Sequence, residues 1–251
     1  MTQTAGTSGG VQSLDRAFLL LELMAEGGGQ MPLSQLAERS GLPLPTIHRL
    51  VRTLVASGYV RQLPSRSYAL GPRLITLGEA ASRMLGAWAR PVLADLAEAV
   101  GETANMAMLD GDQAVYVAQA PSRHSMRMFT EVGRRVHLHC TGVGKALLAQ
   151  LPAGTVSEIL HRTGMPAQTD RSITDPDQLA DELGRIRRQG YGLDDAEQEI
   201  GVRCIAVPVT GAPTPTAISV SGPEGRITAP SIPPIVEKLK AAVPLIVQQL
   251  T

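Results

Sequence analysis

Residues 33–54 read LSQLAERSGLPLPTIHRLVRTL, and this stretch predicts two helices joined by a tight turn. Ser34 can cap the first helix, since a serine side chain accepts a hydrogen bond from an unpaired N–H of the first turn. Gly41 ends that helix, because glycine readily adopts the left-handed conformation found after a helix terminus. Pro45 suits the start of the second helix, where its missing N–H costs nothing. The spacing is typical of a helix-turn-helix.

The second of these helices has one apolar face and one polar, basic face. Its apolar residues recur at i, i+3, i+4 and i+7, the spacing of a buried helix face: Ile47, Leu50, Val51 and Leu54. The opposite face carries Thr46, His48, Arg49, Arg52 and Thr53. In a helix-turn-helix the second helix enters the major groove, where arginine reaches guanine edges or phosphate oxygens. Arg49 and Arg52 are therefore predicted to contact DNA, with Thr46 and His48 near the helix start. The alternative is a helical hairpin with a solvated basic face.

The segments on either side complete a winged helix. An apolar helical pattern through Leu14, Ala17, Phe18 and Leu21 stops at the three glycines 27–29. Two short alternating runs, YVRQL and SYAL, flank Pro64-Ser65-Arg66 and predict a β-hairpin. Three helices followed by a hairpin form a winged helix, in which Arg66 would contact phosphate or the minor groove from the hairpin tip.

The charges are unevenly distributed, although the net charge of the chain is +0. Residues 45–73 contain five arginines and no acid. Such a basic segment favours a polyanion as partner. Aromatic residues make up only 3% of the chain, which disfavours single-stranded nucleic acid because its bases stack on aromatic side chains. Double-stranded DNA is therefore the predicted partner.

We divide the chain into a flexible tail at 1–10, a winged helix-turn-helix at 11–71, a linker helix at 72–90 and a second domain at 91–251. The linker pattern ends before Pro91, and we interpret this helix as a dimerisation element as well. Beyond it, TANMAML and AVYVAQA predict a hairpin, and VRCIAVPV and TAISVSG predict further strands. Helical patterns cover 143–151, 155–162, 176–189 and 232–250. This mixture predicts an α+β domain with a largely antiparallel sheet flanked by helices.

The stretch HCTGVGKALL (139–148) resembles a phosphate-binding loop but departs from that motif at two positions. The motif needs glycine where His139 stands and serine or threonine where Ala146 stands. A glycine-rich turn that leads into a helix remains, and the free N–H groups of Gly142 and Val143 suit a carboxylate. The alternative is a tight turn without a ligand.

Two of the predicted strands place polar side chains beside apolar ones. Alternation puts Ser219 and Ser221 on one face of one strand, and Val202 and Cys204 on one face of another. Asp194 could accept hydrogen bonds from a ligand, or it could be an acid in a turn beside Gly192. Together these residues predict a cavity with polar and apolar walls.

The composition disfavours several other classes of protein. Two cysteines, Cys140 and Cys204, are too few for a disulfide framework and lack the paired spacing of a zinc site. No apolar run approaches the roughly 20 residues that span a bilayer, and no export signal is visible, so we expect a cytoplasmic protein. We expect no metal and no cofactor. An enzyme would need Cys140 or Cys204 as nucleophile beside His137 or His139 as base.

Six ordered segments carry a resemblance to a known family. They read VQSLDRAFLLLELMAE, LSQLAERSGLPLPTIHRLVRTL, SYALGPRLITLG, HCTGVGKALLA, DDAEQEIGVRCIAVPV and AISVSGP. Together they resemble the isocitrate lyase regulator (IclR) family of transcription regulators, over Val11 to about Arg226. Within that family, GETANMAMLDGDQAVYVAQ followed by MRM is most similar to the allantoin and glyoxylate regulators. The resemblance implies a winged helix, a linker helix and a GAF-like second domain, assembled as dimers or tetramers.

The resemblance also implies an effector pocket. The family's pocket positions correspond here to Met128, Gly142, Val143, Asp194, Val202, Cys204, Ser219 and Ser221. Family effectors are small metabolites, often carboxylates or aromatic acids. Two departures affect the pocket, because Ser125 replaces a usually apolar residue and Val202 is smaller than the leucine often found there.

These inferences converge on a DNA-binding transcription regulator that responds to a small molecule and is not an enzyme. We expect a repressor of a catabolic operon, released by a small carboxylate or ureide such as glyoxylate, allantoin or allantoate. Regulation of aromatic-acid or other carboxylate catabolism is the alternative. A second alternative is a small-molecule enzyme that uses Cys140 or Cys204.

Overall fold

A computed structural model describes residues 10–125 and 131–249. The chain forms two compact units that meet in sequence between Ala81 and Ser82. Each unit has its own sheet and its own apolar core. None of the described helices is long and apolar enough to cross a membrane.

The first unit is a winged helix, as predicted. Its elements are α1 (Gln12–Glu26), β1 (Gln30–Met31), α2 (Leu33–Ser40), α3 (Leu44–Ala56), β2 (Val60–Gln62) and β3 (Tyr68–Leu70). The strands are antiparallel in the order β1-β3-β2. The predicted hairpin is therefore confirmed, and a third strand before α2 extends it. The sequence did not indicate β1, because two residues are too few to show an alternation.

The predicted helix-turn-helix is formed by α2 and α3. Gly41 follows α2 with φ 67°, the left-handed conformation expected of it. Pro45 lies in the first turn of α3, and the helix begins at Leu44, one residue before the predicted start. The prediction for Ser34 was wrong, because α2 begins one residue before it. Pro32 therefore holds the N-cap position, and Ser34 falls inside the first turn without capping the helix.

Helices α1, α2 and α3 share one apolar core. The four residues predicted for the inner face of α3 are all buried: Ile47, Leu50, Val51 and Leu54. They cluster with Leu20 and Met24 of α1 and Leu36 of α2. Of the four residues on which the prediction of α1 rested, Ala17 and Leu21 pack against this core, whereas Leu14 and Phe18 are 54% and 59% exposed. The packed stripe of α1 therefore includes only part of the predicted one, and Leu14 and Phe18 remain as apolar residues on the surface.

The second unit is α+β, with helices on an antiparallel sheet, as predicted. In chain order, α4 (Arg73–Leu85) leads to α5 (Arg90–Val100), β4 (Thr103–Asp110), β5 (Gln113–Ala120), β6 (Arg135–Val136), α6 (Gly142–Leu148), α7 (Ala153–Thr163), α8 (Pro176–Gln189), β7 (Gly192–Asp195), β8 (Val202–Pro208), β9 (Thr216–Pro223) and α9 (Ile232–Gln248). The sheet order is β6-β5-β4-β9-β8-β7, and every neighbouring pair is antiparallel.

The linker helix α4 is shorter than the predicted segment 72–90. It ends at Leu85, and a 3-10 turn at Ala87–Ala89 leads directly into α5. Pro91 lies in the first turn of α5, so it begins a helix and does not mark a break. Glycine is required between the two helices, because a Cβ on Gly86 would lie 2.7 Å from the Val117 carbonyl oxygen.

Helices cover both faces of the six-stranded sheet. α5 and α9 pack on one face, whereas α6, α7 and α8 pack on the other. Ala206 and Ala217 belong to the cluster under α6. Because side chains alternate along a strand, Cys204 and Ser219, two residues away from these alanines, share their face. The predicted effector residues of the strands therefore point toward α6.

Candidate functional sites

The outer face of α3 is a basic surface. His48, Arg49 and Arg52 are exposed, and Thr46 is half-buried at the start of the helix. Within the described ranges, no carboxylate forms an ion pair with Arg49 or Arg52. Their guanidinium groups are therefore available to the phosphates and base edges of DNA.

The tip of the wing presents another basic group. The Arg66 N–H donates to the Leu63 carbonyl at 2.9 Å and closes the turn between β2 and β3. Arg66 has φ 65°, a conformation that residues other than glycine rarely adopt, and it is exposed. Strained backbone of this kind recurs at binding sites, which favours a contact role for this tip.

The last arginine of the basic segment has a structural role instead. Arg73 donates through Nη1 to the Ser57 carbonyl at 3.0 Å, and its guanidinium lies 5.3 Å from the centre of the Tyr59 ring. The other arginines of residues 45–73 are exposed: Arg49, Arg52, Arg61 and Arg66. Arg73 is exposed as well, but its guanidinium is held by these contacts.

Four predicted effector residues lie together on the sheet beneath α6. Register places Asp194 of β7 opposite Cys204 of β8, and Cys204 opposite Ser221 of β9. Ser219 lies two residues away on β9 and shares their face. All four residues are 5% exposed or less. These four residues, from three strands, therefore form one buried and largely polar group of side chains.

The start of α6 lies directly against this group. A Cβ on Gly142 would be 2.9 Å from the Cys204 carbonyl oxygen, so only glycine permits the approach. Val143 is fully buried beside it. Thr141 caps the helix by accepting a hydrogen bond from the Gly144 N–H at 3.0 Å. α6 has only seven residues, so the polarity of the site comes from the strand side chains and not from the helix dipole.

The other residues predicted for the pocket do not all lie beside the buried residues. Val202 is half-buried and lies two residues before Cys204, opposite Pro223, so it borders the group. Ser125, the noted departure from the family pattern, is exposed. Met128 lies outside the described residues.

Asp194 joins the site to the loop that follows it. Its Oδ1 accepts hydrogen bonds from the Glu197 N–H at 2.8 Å and the Gln198 N–H at 3.3 Å. Burial raises the pKa of this carboxyl to about 7, since little water is left to solvate its charge. Asp194 lies near the end of β7 and is 4% exposed, and its hydrogen bonds show that it holds the loop that follows the strand.

A buried ion cluster that the sequence did not reveal lies next to this loop. Lys145 is 1% exposed, its Nζ donates to Glu197, and it lies 3.8 Å from Glu182 Oε1. Lys145 is the lysine of the loop that resembled a phosphate-binding motif. Two carboxylates take up its charge, which supports the rejection of that motif. In the sequence, the only indication of this ion cluster is a lysine within the apolar run VGKALL.

The cysteines are not arranged for nucleophilic catalysis. Burial raises the pKa of the Cys140 thiol to about 12 and that of Cys204 to about 11, so both stay protonated near neutral pH. Cys140 donates to Gln198 Oε1 at 3.3 Å, and His139 Nε2 lies 3.1 Å from the Pro166 carbonyl oxygen. Across the described residues, no cluster of three His, Cys, Asp or Glu side chains could hold a metal ion.

Three further polar residues of this sheet face were not predicted. Asn105 of β4 lies opposite Ser219, and Gln119 of β5 donates to Asn105 Oδ1 at 3.2 Å. Tyr116 is buried near Cys204 and Asp194, and burial together with these groups raises the pKa of its phenol. The alternation of side chains along TANMAML and AVYVAQA predicts that these strands have two different faces, but it does not show which face contacts a ligand.

A surface groove of about 530 Å³ between α7 and α8 is separate from this group. Val156, Leu160 and Leu183 are among its walls, and none of the effector residues within the described ranges lines it. The described effector residues instead lie between α6 and the sheet, where all but Val202 are buried. A ligand bound there must be small, or α6 must move to admit it.

A winged helix with a basic recognition surface, followed by an α+β unit with a buried polar site, defines the class of DNA-binding transcriptional regulators. The chain belongs to the IclR family of bacterial transcriptional regulators. Residues 13–64 match the IclR helix-turn-helix domain, and residues 79–247 match the C-terminal domain of the bacterial transcriptional regulator IclR. The family resemblance and the regulator class are therefore confirmed, and the enzyme alternative is excluded.

Individual relatives agree with this assignment. The chain is 40% identical over 232 residues to the transcriptional repressor IclR of Escherichia coli, a match that covers 90% of this chain and 85% of that protein. An IclR regulator from Alicyclobacillus acidocaldarius matches with a TM-score of 0.85 at 29% identity, over 96% of this chain and all of the other. An IclR homolog from Microbacterium hydrocarbonoxydans, complexed with 4-hydroxybenzoate, matches with a TM-score of 0.82 at 25% identity, over 95% of this chain and 98% of the other.

Proposed function

We propose that this protein is a homodimeric repressor of a catabolic operon, released from its operator by a small carboxylate or ureide such as glyoxylate, allantoin or allantoate. One observation carries the proposal: an exposed basic helix and a buried polar site occur in separate compact units of one chain. Such a chain can bind DNA with one unit and a metabolite with the other. Repression is supported by the 40% identity to a relative named as a transcriptional repressor.

The DNA contact is assigned to α3 and the wing. α3 enters the major groove, where Arg49 and Arg52 reach base edges or phosphates, and Thr46 and His48 lie at the helix start. Arg66 contacts phosphate or the minor groove from the tip of the wing. Because each neutralised phosphate releases counterions, binding weakens as salt is added.

A second copy of the chain is the proposed partner of an exposed apolar helix. No residue of α4 is buried, and four of its large apolar side chains are 46% to 82% exposed: Ile75, Leu77, Met84 and Leu85. Exposed apolar surface of this kind marks protein contacts. A symmetric dimer would direct its two α3 helices to successive major grooves, about 34 Å apart, and two dimers can pair into a tetramer.

The effector is assigned to the layer between α6 and the sheet. The hydroxyls of Ser219 and Ser221 can donate to a carboxylate, and Asp194 can accept from a hydroxyl or an amide of a ureide. Gly142, Val143, Val202 and Cys204 form the surrounding wall, and the family resemblance adds Met128. The closed packing of these residues supports a small ligand such as glyoxylate.

An aromatic acid is the second candidate. A family member of known structure is complexed with 4-hydroxybenzoate, and its chain is 25% identical to this one. Tyr116, which is buried in the cluster under α6, would supply an aromatic contact for such a ring. Because the ring needs more room than glyoxylate, this alternative requires α6 to move away from the sheet.

Ligand binding must reach the DNA-binding unit through the connection between the units. α4 begins in the first unit and ends in the second, since the boundary falls at Ala81. A ligand changes DNA affinity only if it binds the DNA-competent and DNA-incompetent arrangements with different affinities. We assign α4 as the element that differs between the two arrangements.

A mobility-shift titration on DNA from the gene's own upstream region tests the proposal. We expect salt-sensitive, sequence-selective binding and release by glyoxylate, allantoin or allantoate, with 4-hydroxybenzoate as the aromatic competitor. Release by 4-hydroxybenzoate alone would select the aromatic alternative. Absence of any sequence-selective DNA binding would overturn the proposed function.

A further inference from the structure

We infer that Asn105 is a specificity-determining residue of the effector site: its amide Nδ2–H, together with the Ser219 hydroxyl, binds a carboxylate oxygen of the ligand at the β4 side of the site. The inference rests on the proposed function, because it takes a ligand between α6 and the sheet as given. It adds a residue and an orientation to that site.

Asn105 has an unusual position for its residue type. It lies in β4, between β5 and β9 in the six-stranded sheet, and is 0% exposed. Asparagine is depleted in strands and is mostly found at protein surfaces. Asn105 is also the only asparagine of the 251 residues. Packing alone therefore does not account for an amide at this position.

The hydrogen bonds of Asn105 are incomplete. Oδ1 accepts from Gln119 Nε2 at 3.2 Å, which fixes the amide. Within residues 10–125 and 131–249, no group accepts from Asn105 Nδ2, and the buried Ser219 Oγ forms no hydrogen bond of normal geometry, with the Cys204 thiol close to it. Buried polar groups in folded proteins almost always have partners.

The two unpaired groups are neighbours. Asn105 and Ser219 are directly opposite each other in the β4–β9 ladder, so their Cβ atoms are about 5 Å apart and their side chains share a face. Ala217, two residues along β9, lies in the apolar cluster under α6, which identifies this face as the one that carries the predicted effector residues. Two adjacent unpaired groups on the face of the proposed site point to a ligand that both of them bind.

The chemistry of the pair selects the ligand group. An amide nitrogen can only donate, and a serine hydroxyl can donate at the same time, so the pair suits an acceptor with two oxygens. A carboxylate meets this requirement and strengthens both hydrogen bonds by its charge. Asp194 lies on β7, three strands from β4, or about 14 Å at the usual strand spacing. A carboxylate at Asn105 is thereby kept away from the Asp194 carboxyl.

Asn105→Asp provides the sharpest substitution. It preserves size and the acceptor for Gln119, but it replaces the donor by a carboxylate oxygen that repels an anionic ligand. We expect the affinities for glyoxylate and allantoate, measured by calorimetry on the full chain, to fall by about tenfold or more. Gln178→Glu introduces the same charge at an exposed position of α8 and should leave both affinities unchanged.

The single asparagine also gives a direct spectroscopic readout. Protein labelled with ¹⁵N only in asparagine shows one side-chain NH₂ pair, which belongs to Asn105. We expect this pair to shift on titration with glyoxylate or allantoate, and to saturate over the range in which the same compound releases DNA. This measurement uses the unmodified protein, so it decides the matter even if Asn105→Asp fails to fold.

The outcomes separate this inference from the proposed function. If a compound releases DNA but leaves the NH₂ pair unmoved, the inference is overturned and the repressor proposal stands. If the pair shifts but the protein does not bind DNA, the inference stands and the repressor proposal fails. If neither compound moves the pair or releases DNA, recognition of these carboxylates by Asn105 is overturned.

Discussion

Gly142 lies so close to Cys204 that a Cβ on residue 142 would be 2.9 Å from the Cys204 carbonyl oxygen and 3.0 Å from its Sγ. The contact sets the distance between α6 and β8, and thus the depth of the proposed effector site. Any side chain at residue 142 must push the helix away from the sheet or shift the strand.

Gly142→Ala should therefore destabilise the second unit and disturb the effector response. Overpacking of a buried contact costs about 1 to 3 kcal/mol, which urea unfolding of the full chain would measure. Gly154→Ala is the matched control, because a Cβ there meets no atom within 4 Å and the residue is helical in α7. Equal stability of the two variants would show that α6 is free to shift.

Arg49→Ala tests the DNA contact of α3. If Arg49 reads a base, the substitution should cost about 1 to 3 kcal/mol of specific binding, and if it contacts only phosphate, it should lower the salt slope by about one with little change in specificity. Fluorescence anisotropy on operator DNA at several salt concentrations separates the two cases. Arg39→Ala removes an equal charge from α2, where Arg39 pairs with Glu26 at 2.6 Å, and should have a smaller effect. Unchanged binding by Arg49→Ala would refute the contact.

Asp194 should make the stability of the second unit depend on pH. Its pKa is about 7 in the folded chain because of burial, against an ordinary value of about 3.9 when unfolded. Between pH 4 and 7 the folded state therefore keeps a proton that the unfolded state has lost, so this group lowers the free energy of unfolding as pH rises. Above pH 7 its contribution is constant. The Asp194→Asn variant should lack this contribution to the pH dependence of the free energy of unfolding.

Urea unfolding at pH steps from 4 to 8 would measure this effect as the difference between wild type and Asp194→Asn. The exposed Asp181→Asn in α8 is the control and should follow the wild type. If the difference in unfolding free energy between the wild type and Asp194→Asn stays constant over this range, the pKa of Asp194 in the folded chain is ordinary and the prediction is wrong.

The apolar face of α4 should hold the dimer together. Ile75 and Met84 are 64% and 82% exposed, so replacing both by glutamate leaves the fold intact while placing charges in the proposed interface. Glutamate is a good helix former, so α4 itself should persist. Sedimentation velocity should show monomers for this variant and dimers or tetramers for the control Leu245→Glu, which introduces the same residue at a 51% exposed position of α9. Dimers that survive both glutamates would place the interface elsewhere.

The winged helix was predictable because local signals determine it. Gly41, Pro45 and the buried stripe of α3 act within a few residues of each other, and the structure has them as expected. The errors are also local: Ser34 and Pro91 have properties that suit more than one position near a helix start, and neighbouring residues decided between them. Helix boundaries depend on such competition.

The candidate site was predictable only in part, because its partners are distant in sequence. Alternation placed Ser219 and Ser221 on one face, and the family resemblance added the remaining positions. Nothing local indicated that Lys145 would pair with Glu197, 52 residues away, or that Asn105 would lie opposite Ser219. These relationships arise from strand order and helix packing, which the pattern of a single segment does not encode.

The most direct test of the central claim compares the wild type with the double substitution Ser219→Ala and Ser221→Ala in a mobility-shift titration with glyoxylate, allantoin and allantoate. Ser157→Ala, an exposed change on α7, is the control. We predict that all three proteins bind the operator equally without ligand, and that one of these compounds releases the wild type and the control but not the double variant. Release of the double variant at the wild-type concentration of ligand would contradict the account.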